Sequence, residues 1–315
     1  MKFKNNFIVI IVAAVGIYSI FLFMSDYNIL SQKIINFHIE YLIPILLIVT
    51  VSWVPLNLKW YYLLKKNGIN IPFRKSVLIW LSGSALIATP GQIGELIKVQ
   101  LLKKMYNVPR TKTASLVLLE KFYGLIGAFI AANVGIILFE INFPLIIFTC
   151  IILTVIFFFI YYKPIFEFVL NKAKKIKFFT KYTGNVSESY ETLRNSTNPT
   201  TAFICIFLSF SYWIIISVSV YLTLLAFNIE TITFLETISI YTSSVVIGII
   251  SFIPGGLGIT EGSLLGLFTL KGIDVSFALT LIVVIRLTTL WYSVSIGFIG
   301  LKLTGGLSLS RNFEN

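Results

Sequence analysis

The sequence has little charge, a single histidine and few cysteines. Charged residues make up 12% of its 315 positions, about half the usual share in a soluble protein. His38 lies in a predicted loop, so we expect neither a catalytic triad built on it nor a histidine-rich metal site. Cys150 and Cys205 both fall in apolar runs and carry no information about the redox compartment.

The sequence also lacks the common nucleotide and metal motifs. It contains no Walker loop, no EF-hand loop and no glycine-rich dinucleotide fingerprint after a strand, which are the patterns that mark those sites. We therefore predict no cofactor and no bound metal. Any transport by this chain would have to be passive or driven by an ion or lipid gradient.

Long apolar runs dominate what is present. Hydrophobic residues make up 57% of the chain, and the mean hydropathy is +0.91. Six runs match the ~20 residues that a helix needs to cross the hydrocarbon core of a bilayer: residues 7–25, 41–64, 114–139, 144–162, 201–227 and 276–301. The sequence predicts an all-α, polytopic membrane protein with about six full spans, in which residues 1–315 form a single integral membrane domain.

The distribution of charge predicts how the chain crosses the membrane. The net charge is +12, and basic residues concentrate in alternate loops, above all in residues 163–199. The loops between them hold Glu140, Glu230 and Glu236 without lysine or arginine. Since cytoplasmic loops are enriched in basic residues, we predict a basic cytoplasmic loop at 163–199, cytoplasmic N- and C-termini and a place in the cytoplasmic membrane. The same distribution argues against binding of nucleic acid.

Two segments depart from simple spans. Residues 76–102 and 235–270 each consist of an apolar stretch, a Pro-Gly break and a second short apolar stretch. P-G-Q-I-G at 90–94 aligns with P-G-G-L-G at 254–258, and a glutamate follows each break. The first segment lies between basic loops and the second between acidic or near-neutral loops. We therefore predict two re-entrant hairpins of opposite orientation, as an inverted repeat would give.

Proline and glycine explain why the helices break. Proline removes a backbone donor and stops the first half-helix, and glycine lets the chain reverse. Thr260 is expected to cap the second half-helix, with Glu261 in its first turn and the backbone N–H groups near Gly258 ready to bind an anion. The alternative is a purely structural break with a capping glutamate. The predicted break residues are Pro90, Gly91, Gly94, Pro254, Gly255 and Gly256.

Charged residues inside the apolar segments form the candidate site. Burying a charge at mid-bilayer costs at least ~2.5–3.5 kcal/mol, so these residues are either paired or functional. One interpretation is structural pairing of three acids with three bases. The other is a polar site for a charged headgroup, in which an arginine would fork two phosphate oxygens and the lysines would add charge. The residues are Glu95, Lys98, Glu120, Lys121, Glu261 and Arg286.

Four stretches resemble the signature blocks of the lysylphosphatidylglycerol synthase transmembrane-region family, a flippase-like membrane domain. They are P-G-Q-I-G-E-L-I-K, L-L-E-K-F-Y-G-L, P-G-G-L-G-I-T-E-G and I-R-L-T-T-L-W. The resemblance covers roughly residues 5–305. The family pattern usually has arginine where this chain has Lys98 and Lys121, so the charge is kept and the bidentate fork is lost, whereas Arg286 matches.

The resemblance implies a lipid flippase. In two-domain synthases of this family a separate soluble domain transfers the aminoacyl group. This chain ends at Asn315, so we expect it to lack that domain and not to make lysylphosphatidylglycerol. Family members are associated with moving lipids between leaflets, and relatives with polyprenyl-phosphate sugars.

The resulting expectation is a translocator that moves a phosphate-bearing headgroup across the cytoplasmic membrane. Its ligand would be a membrane lipid or lipid-linked sugar, and a separate glycosyltransferase or synthase is a candidate partner. Two alternatives stay open: a membrane-bound transferase that uses a glutamate as base, and a non-catalytic partner of a separate synthase.

Overall fold

A computed structural model describes residues 37–136, 168, 192, 194 and 196–306 of the chain. Within those residues every regular element is helical, as the sequence predicts. The predicted spans at 7–25 and 144–162 and most of the basic loop at 163–199 lie outside the described residues.

Four helical segments are long and apolar enough to cross a membrane. They are Ile39–Lys66, Arg110–Val134, Pro199–Ala226 and Val275–Leu303, and they confirm the four predicted spans that fall within the described residues. The corresponding helices are α1 (Leu42–Lys66), α4 (Arg110–Ile136) and α5 (Pro199–Ala226), followed by α8 (Val275–Arg286), which continues through a π-helical turn (Leu287–Trp291) into α9 (Tyr292–Leu303). The chain is a multi-pass membrane protein.

The two Pro-Gly segments fold as broken helices. The first runs from α2 (Phe73–Ser84) through a 3₁₀ turn (Pro90–Leu96) into α3 (Ile97–Tyr106). The second runs from α6 (Phe234–Ile250) through a 3₁₀ turn (Pro254–Gly256) into α7 (Ile259–Leu270). Each half-helix is shorter than the ~20 residues that cross a bilayer.

Positive backbone angles fix the shape of both breaks. Gly255, Gly256 and Gly258 have φ of +63°, +66° and +84°, which glycine adopts without a steric penalty. Gln92 stands at the position that aligns with Gly256, and its φ is +56°. A side chain in this region costs roughly 1–2 kcal/mol. The first break carries this cost at Gln92, and the second carries it just before its proline, at Phe252, whose φ is also +56°.

Packing relates the two halves of the chain. α1, which precedes the first broken helix, packs on α5, which precedes the second. α4 follows the first break and packs on α6, and in the same way α9 follows the second break and packs on α2. The two 3₁₀ turns contact each other. This reciprocal arrangement brings the two breaks into contact with each other.

Candidate functional site

A cavity of about 400 Å³ lies where the two breaks meet. A Cβ atom built on Gly255 would lie 3.5 Å from Cβ of Ala88, so the two turns approach to van der Waals contact beside it. The volume of the cavity is in the range of pockets that hold small-molecule ligands. The lining combines charged residues with aromatic side chains from several helices, among them Trp53, Trp80, Tyr212, Trp213 and Tyr241.

The first break carries a buried network of charges. Lys98 is fully buried, and its ammonium donates to Glu95 Oε2 at 2.9 Å and to Glu120 Oε2 at 2.6 Å. Trp80 Nε1 donates to the other Glu120 oxygen at 3.0 Å. The Lys98 ammonium also lies 4.8 Å from the ring centroid of Trp60. This lysine is surrounded by partners and does not line the cavity.

Lys121 joins the same network from the cavity side. Its ammonium donates to Gln92 Oε1 at 2.5 Å and forms an ion pair with Glu95. The Lys121 side chain is 34% exposed, against 7% for Glu95. The left-handed turn at Gln92 aims this amide at Lys121, so the strained residue of the first break supplies an acceptor to a cation that lines the cavity.

The second break is built around one ion pair. Arg286 Nε donates to Glu261 Oε1 at 2.7 Å, and the guanidinium also donates to the carbonyl of Gly255 at 2.5 Å. Both side chains are buried. The backbone N–H of Gly258 donates to Glu261 Oε2 at 2.7 Å, so one carboxylate caps the half-helix and neutralises the arginine.

One predicted role is wrong. α7 begins at Ile259, and its N-cap is Gly258, so Thr260 lies inside the helix and does not cap it. Its hydroxyl instead lies against Gly248 and Gly256, where a Cβ atom on either glycine would clash with it. In place of the expected threonine cap, the helix start has a single bond, from the Gly258 N–H to the Glu261 carboxylate, which is one of the two bonds of a capping box.

The structure brings most of the predicted site residues to one place and separates them into two layers. Five of the predicted binding residues line the cavity: Glu95, Glu120, Lys121, Thr260 and Arg286, as do the break residues Gly255 and Gly256. Lys98, Glu261 and Gly258 lie behind this surface and hold its charged residues in place. Among the other break residues, Gly94 packs so closely on Leu86 that a methyl group would not fit.

The sequence interpretation missed Lys59. This residue lies on α1 within an apolar run, is 1% exposed and lines the cavity. Its ammonium donates to the backbone carbonyl of Glu120 at 3.1 Å and to Ser209 Oγ at 2.8 Å. A lysine inside a predicted span is itself a signal of a functional site, and its distance from the Pro-Gly motifs in sequence concealed it.

Comparison with known proteins gives a consistent picture. The family model described as lysylphosphatidylglycerol synthase TM region matches residues 9–297. Two curated relatives from Methanothermobacter thermautotrophicus, each named UPF0104 membrane protein, are 32% identical over 106 residues and 30% identical over 98 residues. These stretches are 34% and 31% of this chain and 31% and 29% of the two relatives. The chain thus spans about a third of the length of the curated relatives that it matches.

Proposed function

Because the chain belongs to the lysylphosphatidylglycerol synthase TM region family, we propose that it is a lipid translocator. A phosphate-bearing headgroup of a phospholipid or of a lipid-linked sugar enters the cavity between the two helix breaks and leaves on the other side of the membrane. Family membership supports a role connected with membrane lipids, and the geometry of the cavity supports translocation as that role.

One observation carries the proposal: the two breaks meet at a cavity, and beside each break a cation that is paired with the glutamate of that break lines this cavity. Lys121 lies on α4, which follows the first broken helix, and Arg286 lies on α8, which follows the second. Each of them is held by the glutamate of its own break, at Glu95 and Glu261. Two cations at one cavity in an apolar bundle suit an anionic group, and the guanidinium can fork two phosphate oxygens.

Exchange of partners provides a mechanism. A headgroup phosphate replaces a carboxylate on Lys121 or Arg286, so the bound phosphate is paired with a cation. The displaced glutamate keeps a second donor, which is Lys98 for Glu95 and the N–H of Gly258 for Glu261. Binding and release are then close in free energy, as passive movement of a lipid between leaflets requires.

The reciprocal packing supports an inverted repeat with two re-entrant hairpins in the cytoplasmic membrane, which would give the headgroup one entrance on each side. Cysteines placed at the exposed positions Asn70 and Asn107, which flank the first broken helix, should react with an impermeant thiol reagent from the same side, the cytoplasmic one. Cysteines at Glu230 and Lys271 should both react from the outside. If either pair is labelled from opposite sides, that broken helix crosses the membrane and the re-entrant arrangement is wrong.

Reconstitution of the purified full chain tests the function. Vesicles carrying an acyl-labelled lipid should show exchange between leaflets that protein-free vesicles lack, and Lys121→Met should slow it. A new covalent lipid product would instead support the membrane transferase. If neither exchange nor product appears, the chain is better explained as a non-catalytic partner of a separate synthase or glycosyltransferase.

A further inference from the structure

Lys59 differs from the other three cations in and behind the cavity wall. Its two acceptors, the Glu120 carbonyl and the Ser209 hydroxyl, are both neutral. Lys98, Lys121 and Arg286 each form an ion pair with a glutamate. Within residues 37–136 and 196–306 no carboxylate forms such a pair with Lys59, although it is 99% removed from solvent.

The charges around the cavity therefore do not cancel. Among the described residues of this cluster there are four bases and three acids, so one positive charge remains when all are ionised. A buried net charge is costly in a low-dielectric environment, and an arriving anion would relieve that cost. The bases are Lys59, Lys98, Lys121 and Arg286, and the acids are Glu95, Glu120 and Glu261.

The ammonium of Lys59 is also within reach of a ligand. Lys59 belongs to the cavity lining, as does Gly124 beside it. A Cβ atom on Gly124 would lie 3.7 Å from Lys59 Nζ, so the absence of a side chain on this glycine leaves room next to the ammonium. An ammonium has three N–H donors, and two of them are used by Glu120 and Ser209. The third remains for a group that enters the cavity.

We propose that Lys59 makes the cavity selective for a ligand group with one net negative charge, such as the phosphodiester of an anionic phospholipid. A zwitterionic headgroup brings no net charge and leaves the excess positive charge in place. The proposal rests on the proposed function, which it deepens by naming the charge class of the ligand and the residue that selects it. A free phosphate ion shares the relevant chemistry, and the test separates it from a lipid.

The test compares two acyl-labelled lipids with the same chains, phosphatidylglycerol and phosphatidylcholine, in vesicles containing the full chain. Wild type should exchange phosphatidylglycerol about tenfold faster or more, which is the size of one charge-assisted hydrogen bond. Lys59→Met should bring the ratio of the two rates close to one, and Lys59→Arg should keep it. Lys65→Met, which removes an exposed lysine from the end of the same helix, should leave the ratio unchanged.

A purely structural Lys59 would change the yield or stability of the variant without changing the ratio of rates. If Lys59→Met does not fold, Lys59→Gln takes its place, because its amide can still donate to Ser209. Equal rates for the two lipids in wild type, or an unchanged ratio in a folded neutral variant, would overturn the proposal and leave lipid translocation standing.

A ligand that binds the folded state raises the midpoint of thermal unfolding. Measuring this midpoint in detergent therefore separates anion selectivity at Lys59 from lipid translocation. Stabilisation of wild type but not of Lys59→Met by dihexanoylphosphatidylglycerol, in a protein that exchanges no lipid, would support the proposal and contradict translocation. Equal, Lys59-dependent stabilisation by sodium phosphate would keep the anion and assign a free ion as its source. If neither exchange nor Lys59-dependent stabilisation occurs, both claims fail.

Discussion

Replacing Arg286 by glutamine tests the charge network most sharply. The guanidinium and Glu261 are both buried, at 4% and 0% side-chain exposure, and their atoms are 2.7 Å apart. Removing the positive charge leaves the carboxylate uncompensated, and breaking a buried pair in this way costs about 3–5 kcal/mol.

We therefore expect Arg286→Gln to lower the free energy of unfolding in mixed detergent micelles by about 3–5 kcal/mol. Arg74→Gln, at an exposed position, is the matched control and should change stability by less than about 0.5 kcal/mol.

The double variant Arg286→Gln, Glu261→Gln completes the cycle. It should recover most of the lost stability, since it carries no unpaired charge and the new amide oxygen can still accept from Gly258. Additive losses in the double variant, or a loss of stability in Arg286→Gln no larger than that in Arg74→Gln, would refute the reasoning. Arg286→Lys should retain the stability and restore lipid exchange only in part, because lysine keeps the charge and loses the fork.

Two further substitutions test the layer behind the cavity and the helix packing. Lys98→Met leaves two carboxylates without their shared cation and should destabilise the protein by about 3–5 kcal/mol. Lys104→Met, at an exposed site, should have little effect on thermal unfolding. Equal losses of stability in the two variants would contradict the buried network. Gly297→Ala places a methyl group against the backbone of Ala85 and should cost about 1–3 kcal/mol. As the control, Gly266→Ala places a methyl group where no atom lies within 4 Å, and it should be neutral or stabilise the protein by up to about 1 kcal/mol. A larger loss of stability in Gly266→Ala than in Gly297→Ala would contradict the packing of α9 on α2.

The sequence predicted the architecture well because its signals are local. Apolar runs of membrane length and Pro-Gly motifs such as that at Pro254 depend only on neighbouring residues, and the four testable spans agree with the helices. Irregular backbone at membrane depth is tolerated only where protein or a water-filled cavity satisfies it. In the structure, the turns at Ala88 and Gly255 are in contact.

Which charged residues are enclosed and which line the cavity could not be predicted in the same way. A sequence shows that Lys98 and Lys121 lie in apolar segments, but only the fold decides that one is enclosed by two glutamates and the other faces a cavity. Lys59 was missed because its partners, Glu120 and Ser209, are distant in sequence. Thr260 was assigned to the cap because threonine favours that position. The prediction failed because the chain turns at Gly258, whose positive φ suits glycine, so that the helix begins before residue 260.

The central claim is that a lipid headgroup passes between the two helix breaks. A disulfide across them tests it directly. Cysteines at Ala88 and Gly255 would have Cβ atoms about 3.5 Å apart, within the range of natural disulfides. In a variant without the native cysteines, the bond should form on oxidation, and leaflet exchange of labelled phosphatidylglycerol should stop and return on reduction. Exchange at the wild-type rate in protein whose breaks are fully cross-linked would contradict the claim.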